Sequence, residues 1–171
     1  ERRADGTLEP LPAPSIDTGM GLERISAVLQ GATPNYDTDL FTSLLANIAR
    51  LTGRHPYSGS MSPHDVSMRV VADHIRATTF LIADGVIPSN EWRGYVLRKI
   101  MRRAMRHGRK LGLQQPFLHT IVDVLVAEMG HAYPELKAGR DAIVRVIDSE
   151  EARFGEVLTG GLPRLEEILD Q

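Results

Sequence analysis

The 171-residue sequence contains no cysteine. Without thiols the chain can form neither disulfide bonds nor thiolate metal sites, and the absence fits a reducing compartment. No apolar run approaches the length needed to cross a bilayer, so we expect no membrane-spanning segment. A hydrophobic fraction of 42% and a charged fraction of 25% are typical of a globular domain with a sizeable core.

Acidic residues are missing from one stretch of the chain. Between Arg93 and Lys110, eight residues are Lys or Arg and none is Asp or Glu, whereas the rest of the chain has 12 Lys/Arg against 22 Asp/Glu. A charge run is usually a solvated face, and this one could also pair with acidic positions such as Asp148, Glu150 and Glu151. The absence of acidic residues from this stretch nevertheless favours a binding site for a polyanion.

The pattern of apolar residues predicts a mainly α fold preceded by a short extended or β segment. Residues 7–9 suggest a strand, and residues 10–14 suggest an extended connector because three prolines remove backbone donors. Beyond Leu22, apolar residues recur at helical spacing. We predict helices from 22 to near 31, from 37 or 39 to 53, from a Ser62 cap to 84–85, from a Ser89 cap to about 112, over 117–129, and after Pro134 with a break at Gly160–Gly161. Residues 54–63, rich in Gly, Ser and Pro, are expected to form a loop.

The first predicted helix opens with the string Asp-Thr-Gly-Met-Gly-Leu-Glu-Arg at residues 17–24. Gly19 and Gly21 permit close backbone approach to a ligand, and a helix start favours anions. Arg24 could meet a phosphate or stack on a purine, while Asp17 could pair with an ammonium group. The plainer alternative is a glycine turn with a cap and a surface arginine, and Gly-x-Gly alone is too weak to decide.

The longer string resembles motif 3 of the class II aminoacyl-tRNA synthetases, and in particular the alanyl-tRNA synthetases. The resemblance continues at residues 35–41, 72–76, 84–91 and 93–98, and covers essentially the whole chain. It implies that residues 1–30 are the C-terminal edge of the aminoacylation domain. Residues 31–171 would then form a helical, bundle-like tRNA-recognition domain that is truncated at its C-terminus.

The resemblance also implies residue roles. Gly19, Gly21 and Arg24 would bind ATP, and Asp17 with Gly19 would bind alanine. Motifs 1 and 2 are missing, so no catalytic set is complete here and this piece alone should be inactive. The intact cytoplasmic enzyme would use ATP and Mg²⁺ to activate alanine and transfer it to tRNA(Ala). The family's zinc belongs to an editing region that is absent here, and no metal site is expected in this chain.

The basic stretch falls on the fourth predicted helix, where Leu97, Met101 and Ala104 make a narrow buried stripe flanked by cations. The resemblance implies that Asn90 helps read a G·U wobble pair in the tRNA acceptor stem, although Ser89 or Asn90 could instead only cap the helix. Our candidates for tRNA binding are Asn90, Arg93, Arg98, Lys99, Arg102, Arg103 and Arg106. Trp92 and Lys99 depart from the family, which favours a small or polar residue and Arg there. Trp92 could stack on a base or anchor the helix.

Two other functions are compatible with parts of the sequence. A non-catalytic helical adaptor could use the basic helix on protein or nucleic acid, and the string at residues 17–24 argues against it. A class II synthetase of different amino-acid specificity is disfavoured by the block at residues 84–98.

Overall fold

A computed structural model describes residues 2–53 and 56–169, without the side chains of Leu162 and Glu166. The prediction of a mainly α fold is confirmed. The helices are α1 (Leu22–Gln30), α2 (Asp39–Thr52), α3 (Pro63–Ala83), α4 (Trp92–Lys110), α5 (Val122–Met129) and α6 (Pro134–Leu169), with short 3-10 helices at Asn35–Asp37 and Leu118–Ile121. None of the helices described combines the length and the apolar composition needed to span a bilayer.

The predicted extended or β segment before the helices is wrong. The described residues form no strand, and the only pairing is an isolated antiparallel bridge between Arg2 and Leu8. Asp5 stabilises the turn inside this bridge by accepting hydrogen bonds from the Thr7 amide and hydroxyl at 3.0 and 2.7 Å. A strand needs a continued ladder, and the prolines of residues 10–14 cannot donate to one.

Helix α3 lies at the centre of the bundle, where it contacts α2, α4, α5 and α6. Its apolar residues Met68, Val71 and Ile75 are fully buried, as are Leu97 and Met101 on α4. The pairing of α3 with α4 is the most extensive in the fold. The rigid packing of these two helices therefore fixes the position of the basic stretch.

The start of α3 agrees with the sequence prediction. Ser62 is the N-cap and accepts a hydrogen bond from the Asp65 amide at 3.1 Å, and Pro63 occupies the first turn. The Asp65 carboxylate also accepts bonds from the Ser58 hydroxyl at 2.7 Å and the Ser60 amide at 2.8 Å. Although burial alone would raise it, these hydrogen bonds lower the pKa of Asp65 to about 2. The ionised carboxylate thus organises the loop before α3.

Several helix boundaries differ from those predicted from the sequence. Helix α4 begins at Trp92 with Glu91 as its N-cap, because Ser89 forms a local turn with Glu91 instead of capping the helix. The predicted fifth helix divides into a 3-10 turn and α5. The break expected at Gly160–Gly161 is wrong, since α6 continues through it. A glycine costs a helix about 1 kcal/mol but does not forbid it.

In the predicted loop at residues 54–63, Arg54 and His55 lie outside the described residues, and Pro63 already belongs to α3. The proposed domain boundary after residue 30 stays a prediction.

Candidate functional site

The glycine segment that precedes α1 is open to solvent. Asp17, Gly19, Gly21 and Arg24 are all exposed. Gly21 is the N-cap of α1 with an extended backbone and no side-chain capping bond, and a Cβ added at Gly19 would meet nothing within 4 Å. Packing among the described residues therefore does not require glycine at position 19. The open backbone retains the property that would let a ligand approach closely.

Helix α1 is connected to α3 through an ion pair between Glu23 and Arg76. The Arg76 guanidinium also lies 4.7 Å from the centroid of the Phe41 ring, and burial lowers the pKa of Arg76. Arg24 follows Glu23 in the same helical turn. The Glu23–Arg76 ion pair, which we call the Glu23–Arg76 anchor, therefore fixes the position of the Arg24 backbone relative to the bundle. Sequence reasoning missed it because helical periodicity gives no information about contacts between distant segments.

The buried stripe predicted on α4 is present. Leu97, Met101, Ala104 and Gly108 are buried, and Ile100 is half-buried. The opposite side of the helix carries the exposed cations Lys99, Arg103 and Arg106, and a fourth exposed cation, Arg93, lies in the first turn of α4. Within residues 2–53 and 56–169, none of these four forms an ion pair with a carboxylate. We call these four residues the exposed cations of α4.

Arg98 and Arg102 differ from the exposed cations because they share a buried carboxylate. Glu150, with a side chain only 3% exposed, places Oε1 at 3.1 Å from Arg98 Nε and at 3.0 Å from Arg102 Nε. Arg102 also lies over the ring of Phe154 at 5.3 Å. The pairing of the basic stretch with an acidic face, which the sequence left open, is thus observed for two of its cations.

The other two acidic positions considered from the sequence serve different contacts. Glu151 accepts hydrogen bonds from the backbone amides of Phe117 at 2.9 Å and Leu118 at 3.0 Å, and burial raises the pKa of Glu151. Asp148 lies 3.7 Å from His119 Nδ1. These two carboxylates stabilise the junction between α6 and the second 3-10 helix and leave the charge of α4 unchanged.

Asn90 does not cap α4. Its Oδ1 accepts a hydrogen bond from Arg98, whose other terminal nitrogen reaches the Pro88 carbonyl at 3.4 Å. The Asn90 side chain is therefore held by an arginine that Glu150 positions in turn. Its amide NH₂ group has no hydrogen-bond acceptor in the part of the chain that the structure describes, and the residue is exposed. This geometry leaves a donor available to an external acceptor.

A cavity of about 580 Å³ opens beside the basic helix. It is lined by His74 from α3, by Phe154 from α6, and by Lys99, Ile100, Arg102, Arg103 and Arg106 from α4. His74 Nδ1 lies 2.8 Å from Asp73 Oδ2. A lining that combines cationic side chains with the apolar side chains of Ile100 and Phe154 suits a polyanion with flat aromatic groups.

Gly94 permits the close approach of the loop that carries Asn90 to α4. A Cβ at this position would collide with Ser89 Oγ and with the Ile87 carbonyl oxygen. We expect Gly94→Ala to lower the free energy of unfolding by about 1–3 kcal/mol and to displace the loop. Urea denaturation measures the loss.

Gly155→Ala is the matched control for this variant, because a Cβ at that helical glycine meets nothing within 4 Å. Alanine should be neutral or stabilising there. Equal stability of the two variants would contradict the steric role of Gly94.

The family described as tRNA synthetases class II (A) matches residues 1–171, the full length of the chain. The chain belongs to this family. The resemblance deduced from the sequence is therefore confirmed. An exposed Gly-x-Gly segment beside a helical bundle with one basic face is compatible with this family. Among the described residues, no group of three or more His, Asp or Glu side chains is placed to hold a metal ion.

Similar proteins agree with this membership. Proteins named "Alanine--tRNA ligase" from Magnetococcus marinus and Acidithiobacillus ferridurans are 60% and 57% identical over 99% of this chain. One of the same name from Sorangium cellulosum is 55% identical over 98% of the chain. The chain spans about a fifth of the length of these relatives, with 18–19% of each covered.

Proposed function

We propose that this chain is part of an alanine–tRNA ligase and that its helical bundle binds the acceptor stem of tRNA(Ala). The observation that supports this most directly is the row of exposed cations on α4 beside a cation-lined cavity, in a chain 52–60% identical to ligases of that name. A non-catalytic adaptor is the weaker alternative, because it would not account for the class II synthetase match over the whole chain.

The exposed cations of α4 are assigned to the phosphates of the RNA. Phosphate binding releases condensed counterions, which favours clustered cations that no carboxylate already neutralises. Arg93, Lys99, Arg103 and Arg106 meet that condition within the described residues. Arg98 and Arg102 take a supporting role in this proposal, because Glu150 offsets their charge and Arg98 orients Asn90.

The segment before α1 is assigned to the small substrates. Arg24 and the backbone at Gly19 and Gly21 would border ATP, and Asp17 with Gly19 would border the ammonium group of alanine. Residues 1–30 would then be the edge of the aminoacylation domain, and residues 31–171 the tRNA-recognition domain. Mg²⁺ would accompany ATP, zinc would belong to an editing region elsewhere in the ligase, and the enzyme would act in the cytoplasm.

Asn90 provides the test of base recognition. If its free NH₂ group donates to a base edge, Asn90→Ala should reduce the preference for a G·U-bearing acceptor stem over a G·C stem by about 1–3 kcal/mol. The measurement is aminoacylation of both stems by the complete ligase. The loss should fall on the G·U stem, because the G·C stem lacks the recognised feature.

Asn90→Asp is the matched variant. It keeps an oxygen for Arg98 and replaces the NH₂ donor with a second, negatively charged oxygen. The added charge weakens the binding of both stems alike, so the readout is the G·U over G·C preference, which should be lost while the melting temperature is retained. A variant that still prefers the G·U stem would contradict the assignment and would leave Asn90 as a partner of Arg98 alone.

A further inference from the structure

Trp92, the first residue of α4, has an unfavourable backbone conformation. Its φ is 51°, and it is the one non-glycine residue with positive φ among those described. The left-handed region carries an energetic cost for any residue with a Cβ. The residue is also 89% exposed, so packing within the described chain does not offset that cost. Strain and exposure of a large aromatic side chain together indicate that it serves an external partner.

The surface beside Trp92 is concave and carries both acidic and basic side chains. An open cavity of about 360 Å³ is lined by Trp92, Arg93, Asp84 and Glu91 among others. This volume falls in the range of small-molecule sites. Carboxylates repel phosphate, but they accept hydrogen bonds from exocyclic amino groups. Adenine, guanine and cytosine carry such a group, whereas uracil does not.

We propose that Trp92 and this cavity bind an unpaired, amino-bearing nucleobase of RNA. The indole stacks on the face of the base, Asp84 or Glu91 accepts from its amino group, and Arg93 meets the adjoining phosphate. Aromatic stacking suits unpaired bases because their faces are accessible, whereas bases inside a duplex are covered by their neighbours. The inference rests on the proposed binding of RNA by α4 and adds a second contact at the beginning of the helix.

The chain contains a single tryptophan, so fluorescence excited at wavelengths that tyrosine does not absorb reports on Trp92 alone. The probes are an RNA hairpin with a short unpaired adenosine tail, the same hairpin with a uridine tail, and the blunt hairpin. Binding of each is followed independently by anisotropy of a dye at the far end of the RNA. We expect strong quenching by the adenosine tail, weaker quenching by the uridine tail, and little by the blunt hairpin.

Two variants separate stacking from the strain of the backbone. Trp92→Gly removes the ring and the left-handed penalty together, so it should melt at a higher temperature while binding the adenosine-tailed hairpin about tenfold more weakly. Trp92→Phe keeps an aromatic face and should keep most of the affinity without the gain in melting temperature. If Trp92 only anchored the helix, its replacement by glycine would not be expected to raise the melting temperature while weakening RNA binding.

The outcomes distinguish this inference from the proposed function. Binding of all three hairpins without a change in fluorescence would overturn the base site and leave phosphate binding by α4 standing. Equal quenching by tailed and blunt hairpins, or an unchanged affinity of Trp92→Gly, would do the same. Failure of every hairpin to bind at low salt would overturn the RNA-binding function itself, and the inference with it.

Discussion

Replacing Glu150 with alanine is expected to lower the free energy of unfolding by about 3–5 kcal/mol, the usual cost of removing one partner from a buried ion pair. The carboxylate is shared by Arg98 and Arg102, so its loss leaves two guanidinium groups at the junction of α4 and α6 without a counter-charge. The size of the effect follows from the near-complete burial of Glu150, because a solvent-exposed pair contributes at most about 1 kcal/mol.

Urea denaturation monitored by circular dichroism measures this loss. The matched control is Glu156→Ala on the same helix, which removes an exposed glutamate and should change stability by less than about 0.5 kcal/mol. Arg98 also holds Asn90, so the Glu150 variant should lose acceptor-stem discrimination as well. A loss no larger than that of the control would show that the shared carboxylate does not stabilise the junction.

Replacing Arg24 with alanine in the complete ligase is expected to slow alanine-dependent ATP–pyrophosphate exchange by roughly 100- to 1,000-fold. That range is typical of removing one group that stabilises charge as it develops in the transition state. Arg24 is exposed and follows Glu23 of the Glu23–Arg76 anchor. Its guanidinium has no partner in residues 2–53 and 56–169, whereas its backbone is held by α1. Binding of tRNA should change little, because the basic face lies on α4.

Arg50→Ala removes another exposed arginine, from α2, and is the control for the loss of charge. It should leave both exchange and tRNA binding unchanged. If Arg24→Ala weakened tRNA binding as much as it slowed exchange, Arg24 would have a structural role and the assignment to ATP would fail.

Helical periodicity predicted most of the fold. The buried stripe of Leu97, Met101 and Ala104 could be identified because it depends only on the repeat of the helix. The strand at residues 7–9 was wrong because its propensity says nothing about whether a partner strand exists. The break at Gly160–Gly161 was wrong because glycine weakens a helix without ending it.

The sequence narrows the set of carboxylates that could pair with the basic helix but does not identify which one does. Asp148, Glu150 and Glu151 were all candidates. The helical spacing from Ile143 and Ile147 puts both Glu150 and Glu151 on the buried face of α6 and leaves Asp148 exposed, so periodicity excludes Asp148 without choosing between the two glutamates. The contact between Glu23 and Arg76 had no signal in the sequence, since it depends on the tertiary arrangement of α1 and α3.

Salt dependence of RNA affinity tests the central claim most directly. An acceptor-stem hairpin is titrated with this chain over a range of salt concentrations, in parallel with Arg103→Ala, Arg106→Ala and Arg140→Ala. Arg140 is the control because Asp123 already pairs with it at 2.7 Å. We expect affinity to fall steeply with salt and the slope to lose roughly 0.7–0.9 for each of the first two variants and nothing for the third. An affinity that is indifferent to salt, or three equal slopes, would contradict RNA binding by the exposed cations of α4.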